Sequence, residues 1–291
     1  LVGKHRAERG AKGFSCWTQL VAMVFSQLAR ADSLREICHG LTTTSGKLVH
    51  LGVGSSPCRS TLSYANAHRP AALFEELFYA TLERFRKVGH LGHSKPFRFK
   101  NKLLTLDATT VTLCLNMFPW ARYQRTKGGI KLHVLLNGDD YVPEYVVFSE
   151  ARKADVRVAQ DLSLPKDSIV VMDRAYIDFD MLERWTLRGV YWVTRSKTNL
   201  EFLVHESREV PKTGGILRDE IVVRTVEMIA AGERFRQFIR RIVVKGKEPG
   251  EEVTLLTNHM DFGATTISRI YRHRWQIEVF FKTIKQNLKI K

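Results

Sequence analysis

Hydrophobic spacing changes character once along this chain. Up to about residue 90, apolar positions return every three or four residues, as in "FSCWTQLVAMVFSQLARA" (14–31) and "AALFEELFYATLERFRKV" (71–88). That period predicts amphipathic helices. Asp32 or Ser33 is placed to cap a helix over "LREICHGL", and a second short helix is predicted over "CRSTLSYANAHR" after the loop "LGVGSSP". Beyond "HLGHSKPFRFKNK" the period shortens. "LLTLDATTVTL" (103–113), "GIKLHVLLN" and "YVPEYVVFSEA" read as three successive strands, the last two joined by the turn "NGDD". A helix ("ADVRVAQDL"), a strand ("SIVVMD"), a helix ("FDMLERWTLRG") and a strand ("VYWVTRSK") follow. From 199 to 250 the pattern is strand-like again, in "EFLVHE", "EIVVRTV" and "RFRQFIRRIVVKG"; "EEVTLLTN" and a closing helix over 271–291 complete the chain. A meander followed by alternating helices and strands predicts a mixed α/β sheet behind a helical N-terminal region.

Composition adds a partner. The 46 Lys+Arg against 30 Asp+Glu give a net charge of +16 and a pI near 9.9, a balance that attracts polyanions. Nucleic acid leads, with binding that weakens steeply as salt rises. The longest apolar run, "LVAMVF", is too short to span a bilayer. The N-terminal helices, with their basic ends, suit a small DNA-binding bundle, the helix after 58 nearest the groove; a bundle with no DNA role has the same pattern, and the positive charge alone favours the first. Cys16, Cys38, Cys58 and Cys114 contain no Cys-x-x-Cys pair and read as buried thiols of a reducing cytoplasm.

Most conspicuous acids have local explanations. Asp139 and Asp140 belong to a hairpin turn, Asp178 and Asp180 precede a helix with Asp180 and Glu183 at capping-box spacing, and Asp155 sits at a helix start. Asp107 does not fit so easily. It stands inside an apolar and β-branched strand, where aspartate is disfavoured and a buried carboxylate is costly unless paired or metal-bound. A solvent-facing position is the plain alternative. Asp173 ends "SIVVMD", as a turn residue or as a second carboxylate for a hard cation such as Mg²⁺. On a wheel of about 100° per residue, Tyr271, Arg274, Glu278 and Lys285 fall within roughly 60° of one another. Ile270, Ile277, Phe281, Ile284 and Leu288 form the adjacent apolar stripe. A routine i,i+4 pair accounts for Arg274 and Glu278 alone.

The full spacing Tyr271-x2-Arg274-x3-Glu278-x6-Lys285 resembles the signature of a large group of bacterial insertion-sequence transposases, DDE enzymes with a ribonuclease H-like core. "LTLDATTV" is similar to that group's first-aspartate strand and "VVMDRAYIDFDML" to its second-aspartate segment. "KGGIKLHVLLNGDDYVPEYVVFSEARKADVRVA" and "FSCWTQLVAMVFSQLARADSLREI" extend the likeness over nearly the whole chain. The resemblance implies that Asp107, Asp173 and Glu278 are catalytic and hold metal, two Mg²⁺ ions with Mn²⁺ able to substitute. It implies DNA contact by Tyr271, Arg274 and Lys285; Arg195 and Lys197, on one face of the strand end "VTRSKTN", suit phosphate as well, with an ordinary exposed strand end as the alternative. It further implies a β-rich insertion between the second aspartate and the glutamate. The expected division is 1–95 helical DNA-binding region, 96–198 first part of the core, 199–252 insertion and 253–291 the rest of the core.

The function implied is cleavage of transposon ends to free a 3′-OH and its joining to target DNA, by cut-and-paste. Partners would be double-stranded DNA (terminal inverted repeats and target) and a second copy of the chain when DNA is engaged, in a bacterial cytoplasm at the nucleoid with no membrane. Two other readings stay open: a nuclease of the same fold without strand transfer, and an inactive or domesticated DNA-binding protein. The chain starts at Leu1 rather than methionine and stops six residues after Lys285, which predicts a truncated copy. Lys131 and His133 are expected on a solvated sheet face, with DNA contact as the alternative, and Trp192 in the core, with base stacking as its alternative.

Overall fold

A computed structural model describes residues 1–88, 96–113, 122–124, 127–224 and 238–287. It divides into two compact units, Leu1–Gly92 with Ile284–Ile290, and His93–Thr283.

The first unit is helical. Helix α1 (Cys16–Leu28) starts at Ser15, whose hydroxyl accepts the Thr18 N–H at 3.0 Å. For α2 (Leu34–Thr43) the cap is Ser33: its Oγ accepts the Glu36 N–H at 3.2 Å, while Glu36 accepts the Asp32 N–H at 2.8 Å. Two orphan donors are thereby satisfied reciprocally. A short α3 (Ser45–Leu48) and a 3₁₀ turn (Val49–Leu51) end at Gly52, whose φ of 69° is open to glycine at no steric cost. Helices α4 (Arg59–His68) and α5 (Ala71–Val88) follow. Ala22, Ile37, Leu41, Leu48, Val53 and Leu62 make the core of this unit.

The second unit is built on one mixed sheet. Its strands are β1 (Leu103–Leu113), β2 (Arg122–Gln124), β3 (Lys127–Asn137), β4 (Pro143–Glu150), β5 (Ile169–Met172), β6 (Tyr191–Arg195), β7 (Phe202–Ser207), β8 (Ile216–Arg224), β9 (Ile239–Lys245) and β10 (Glu252–Thr257). They run in the order β2–β3–β1–β5–β6–β10–β9–β8–β7, with β4 also paired to β3. The expected meander, helix, strand, helix, strand succession is present, with α6 (Asp155–Gln160) and α7 (Phe179–Leu187) between the strands. Strands β7 to β9 continue the same sheet, because β10 lies between β6 and β9. Residues 225–226 and 234–237 of the strands expected there lie outside the described residues.

Alternation divides the sheet into two buried faces. Leu104, Leu106, Val170, Met172 and Trp192 pack against Met181, Leu182 and Trp185 of α7. Trp192 is therefore a core residue, and its indole N–H donates to Thr186 Oγ1 at 3.1 Å. On the other face, Leu103, Ile169, Val171 and Val193 meet Ala264, Ile267 and Ile270 of helix α8 (Ala264–His273). Leu132, Val134 and Leu136 of β3 receive Ile277 and Phe281 of helix α9 (Trp275–Asn287). Each fully buried Ile or Leu stabilises this docking by about 1.5–3 kcal/mol. Among the described residues no helix is long and apolar enough to cross a membrane.

Four expectations need correction. The closing helix is two helices, α8 and α9, that meet at Arg274. There the Arg274 N–H bonds back to Tyr271 O and the Ile277 N–H to Arg274 O, both at 3.1 Å. These three-residue steps tighten the ladder locally, so one straight wheel does not describe the segment. His133 is fully buried, with Nε2 2.7 Å from Ser149 Oγ, and Lys131 donates to Asp155 at 2.9 Å, so neither stands on a solvated face. The cap of α7 is Asp178, whose Oδ1 accepts the Met181 N–H at 2.9 Å; Asp180 lies inside the first turn. Of the cysteines Cys16 is buried, Cys38 half-buried and Cys58 exposed, while Cys114 lies outside the described residues.

Candidate active site

The site begins where two strands part. Parallel pairing of β1 with β5 stops at Leu106–Met172, and the next residue on each strand is an acid, Asp107 and Asp173. Strand β1 itself continues against β3, so Asp107 lies inside a strand and not at its end. Its odd position turns it to the face covered by α8 and α9. Asp173 leaves β5 as the residue before a 3₁₀ turn over Arg174–Tyr176.

Glu278 arrives from the first turn of α9, and one side chain connects it to the sheet. Arg274 Nη1 donates to Asp107 Oδ2 at 2.8 Å, across 167 residues of sequence, while its Nη2 donates to Glu278 Oε1. The side chains of Arg274 and Asp107 are only 17% and 20% exposed, and that of Glu278 is 34% exposed. The ordinary i,i+4 pair is thus half of a bridge between two acids. Burial dominates the proton affinity of Asp107 and pushes it up to about 6, with Asp173 and Glu278 adding to the rise. The Ala108 N–H and the Arg274 charge oppose it.

Carboxylates are the donors that a hard divalent cation takes, and a guanidinium held between two of them marks a place where this fold accommodates positive charge. The donor set suits such an ion. Among the described residues, however, no three His, Cys, Asp or Glu side chains converge closely enough to hold one as they stand.

The basic residues expected to flank the acids divide between places. Tyr271 packs against the α8 face of the core, and burial pushes its phenol up. Tyr271 and Arg274 line an open cleft with Arg195, Lys245, Lys247 and Trp275. Trp275 is 58% exposed, and Lys247 Nζ lies 5.7 Å from the centre of its ring. Arg195 and Lys197 line a second cleft with Arg174, Arg218 and Arg241. Lys285 is exposed in the last turn of α9.

Two features carried no clear signal in the sequence. The Tyr176 hydroxyl is buried with no hydrogen-bond partner among the described residues, and burial together with Asp107, Asp155 and Asp173 makes its ionisation far harder. Arg174, directly after Asp173, is exposed and adds a cation to the second cleft. The only local hint is their place beside Asp173 in "DRAY".

Residues 98–291 match the family described as the transposase DDE domain. The chain belongs to the DDE transposase family. Residues 1–54 match a second family, described as a domain of unknown function. Similar proteins include "Putative transposase y4zB" of Sinorhizobium fredii, 28% identical over 81% of this chain and 64% of that protein. Another is the "Probable transposase for insertion sequence element IS5377" of Geobacillus stearothermophilus, 29% identical over 67% of this chain and 51% of that protein. The chain thus spans between about half and two thirds of the curated transposases it matches.

Proposed function

We propose that this chain cuts DNA at the ends of its element to free a 3′-OH and joins that hydroxyl to target DNA, by cut-and-paste. The observation that carries the reading is the bridge itself. Asp107 and Glu278 come from opposite ends of the second unit and meet through Arg274 beside Asp173, in a family whose members act as DDE transposases. The strand that carries Asp107, β1, pairs antiparallel with β3 on one side and parallel with β5 on the other, an order that supports a ribonuclease H-like core.

In this reading Asp107, Asp173 and Glu278 hold Mg²⁺, two ions for which Mn²⁺ substitutes. Bound there, such ions supply an activated nucleophile and stabilisation of the leaving oxygen. Arg274 and Tyr271 orient the scissile phosphate, Arg195, Lys197 and Lys285 hold the neighbouring backbone, and the helical N-terminal region grips the terminal repeat. Two copies of the chain engage two ends, in the cytoplasm at the nucleoid. Phosphate contacts of this kind make binding strongly salt-dependent.

The test is strand cleavage of a duplex carrying the element's terminal repeat, with Mg²⁺ or EDTA, for the wild type and Glu278→Gln. Metal-dependent nicks ending in 3′-OH, absent from the variant, are the expected result. Equal cleavage by both proteins would exclude Glu278 from the site. Nicks that never join target DNA would favour a nuclease.

A further inference from the structure

The guanidinium of Arg274 lies where it shields two of the three acids from any other cation. Its fork spans Asp107 on a strand and Glu278 on a helix. A lysine could not bridge them in that way, because only a planar fork presents two donors in fixed directions. Two further observations bear on what happens when this side chain moves. Among the described residues the acids, with Arg274 between two of them, do not form a three-ligand group. The same side chain also borders the open basic cleft that holds Arg195, Lys245 and Lys247, and its backbone sits at the junction of α8 and α9.

We propose that Arg274 competes with the catalytic cation for Asp107 and Glu278, and that DNA entering the basic cleft draws it away. The inference rests on the three-acid reading of the site given above. Without DNA the guanidinium neutralises part of the acid charge and keeps the carboxylates apart from a metal. A phosphodiester in the cleft offers Arg274 another pair of oxygens in the geometry it favours. Its departure leaves Asp107 and Glu278 uncompensated beside Asp173, which raises the affinity of the three for a divalent ion. Metal and DNA therefore load together, and by linkage each tightens the binding of the other by the same factor. The protein is spared from holding an active metal site while no DNA is present.

The experiment measures Mn²⁺ binding to the full chain by loss of the free-ion electron paramagnetic resonance signal, with and without a duplex carrying the terminal repeat. Wild type, Arg274→Gln and Arg274→Lys are compared at one ionic strength. Without DNA, Arg274→Gln is expected to bind Mn²⁺ at least about fivefold more tightly than wild type, the lower end of ordinary coupling between sites. DNA should tighten Mn²⁺ binding by the wild type by a similar factor and leave Arg274→Gln nearly unchanged. Arg274→Lys, which keeps the charge and loses the fork, should resemble Arg274→Gln and serves if that variant melts early. Equal or weaker Mn²⁺ binding by both variants, or an equal effect of DNA on all three proteins, overturns the competition. Glu278→Gln separates the two layers: if it binds Mn²⁺ as wild type does, the three-acid reading itself fails and the competition with it. If it loses Mn²⁺ while Arg274→Gln matches wild type, only the competition fails.

Discussion

Arg240 grips Asp219 through both carboxylate oxygens, Nε to Oδ1 at 2.8 Å and Nη2 to Oδ2 at 2.7 Å, with both side chains out of solvent. Its remaining nitrogen, Nη1, donates to the carbonyls of His259, Met260 and Phe262 at 3.3, 3.2 and 2.5 Å. One side chain of β9 thus ties β8 to the loop that leads from β10 into α8. Each nitrogen of the guanidinium and both carboxylate oxygens thus have a partner, the condition under which a buried ion pair is tolerated.

Removing one partner is expected to be severe. Arg240→Ala strands a buried carboxylate and should cost about 3–5 kcal/mol in urea unfolding. The double variant Arg240→Met, Asp219→Leu should recover most of that loss, because no unpaired charge remains. A double variant as unstable as Arg240→Ala alone would mean that the carbonyl contacts dominate.

Asp107 makes the stability of the second unit depend on pH. Its proton is held in the fold up to about pH 6, against about 3.9 for an unfolded aspartate. The fold therefore favours the protonated form. That contribution is complete below about pH 4 and is lost as pH rises through about 6, a change on the order of 2–3 kcal/mol. Asp107→Asn lacks it, so urea melts from pH 4 to 8 should show the variant gaining on wild type between pH 4 and 7. The same proton competes with metal, so Mn²⁺ binding should fall below about pH 6. A stability difference that stays flat with pH would contradict the burial of this carboxylate.

Cys58 should be the reactive thiol among Cys16, Cys38 and Cys58. It is exposed at the start of α4, and hydrogen bonds with the hydroxyls of Ser60 at 3.2 Å and Thr61 at 2.9 Å lower its thiol to about 7. Burial pushes Cys16 and Cys38 the other way. Because the thiolate is the nucleophile, iodoacetamide should label Cys58 first, with a half-maximal rate near pH 7 by peptide mass mapping. Prior labelling of Cys16 would show that α1 opens more readily than its packing implies.

Much of this was legible in the sequence, for identifiable reasons. The strands around Asp107 and Asp173 showed themselves by composition, and an acid inside "LLTLDATTVTL" was out of place by its chemistry alone. Hydrophobic spacing also placed Ile277 and Phe281 on the buried side of the closing segment. The break at Arg274 was hidden, because no proline or glycine marks it and both halves keep a helical period. Burial of His133 was hidden too: alternation says which residues share a face, but not what covers that face. The second bond of Arg274 could not be read at all, since it joins positions 167 residues apart. Nor did anything local distinguish Asp178 from Asp180 as the cap, because both precede the same apolar run.

The place of β10 has a consequence for how the chain is made. It pairs with β6 on one side, Leu255 opposite Arg195, and with β9 on the other, Leu255 opposite Ile242. Until residues 252–257 leave the ribosome, the β8–β9 ladder and the ladder that ends at β6 have no strand to join them. Each then presents an open row of unpaired amides and carbonyls, the kind of edge that recruits other chains. A nascent or prematurely stopped polypeptide ending before Glu252 would carry two such edges at once. The late strand is a keystone, and aggregation of shortened translation products is the hazard its position creates.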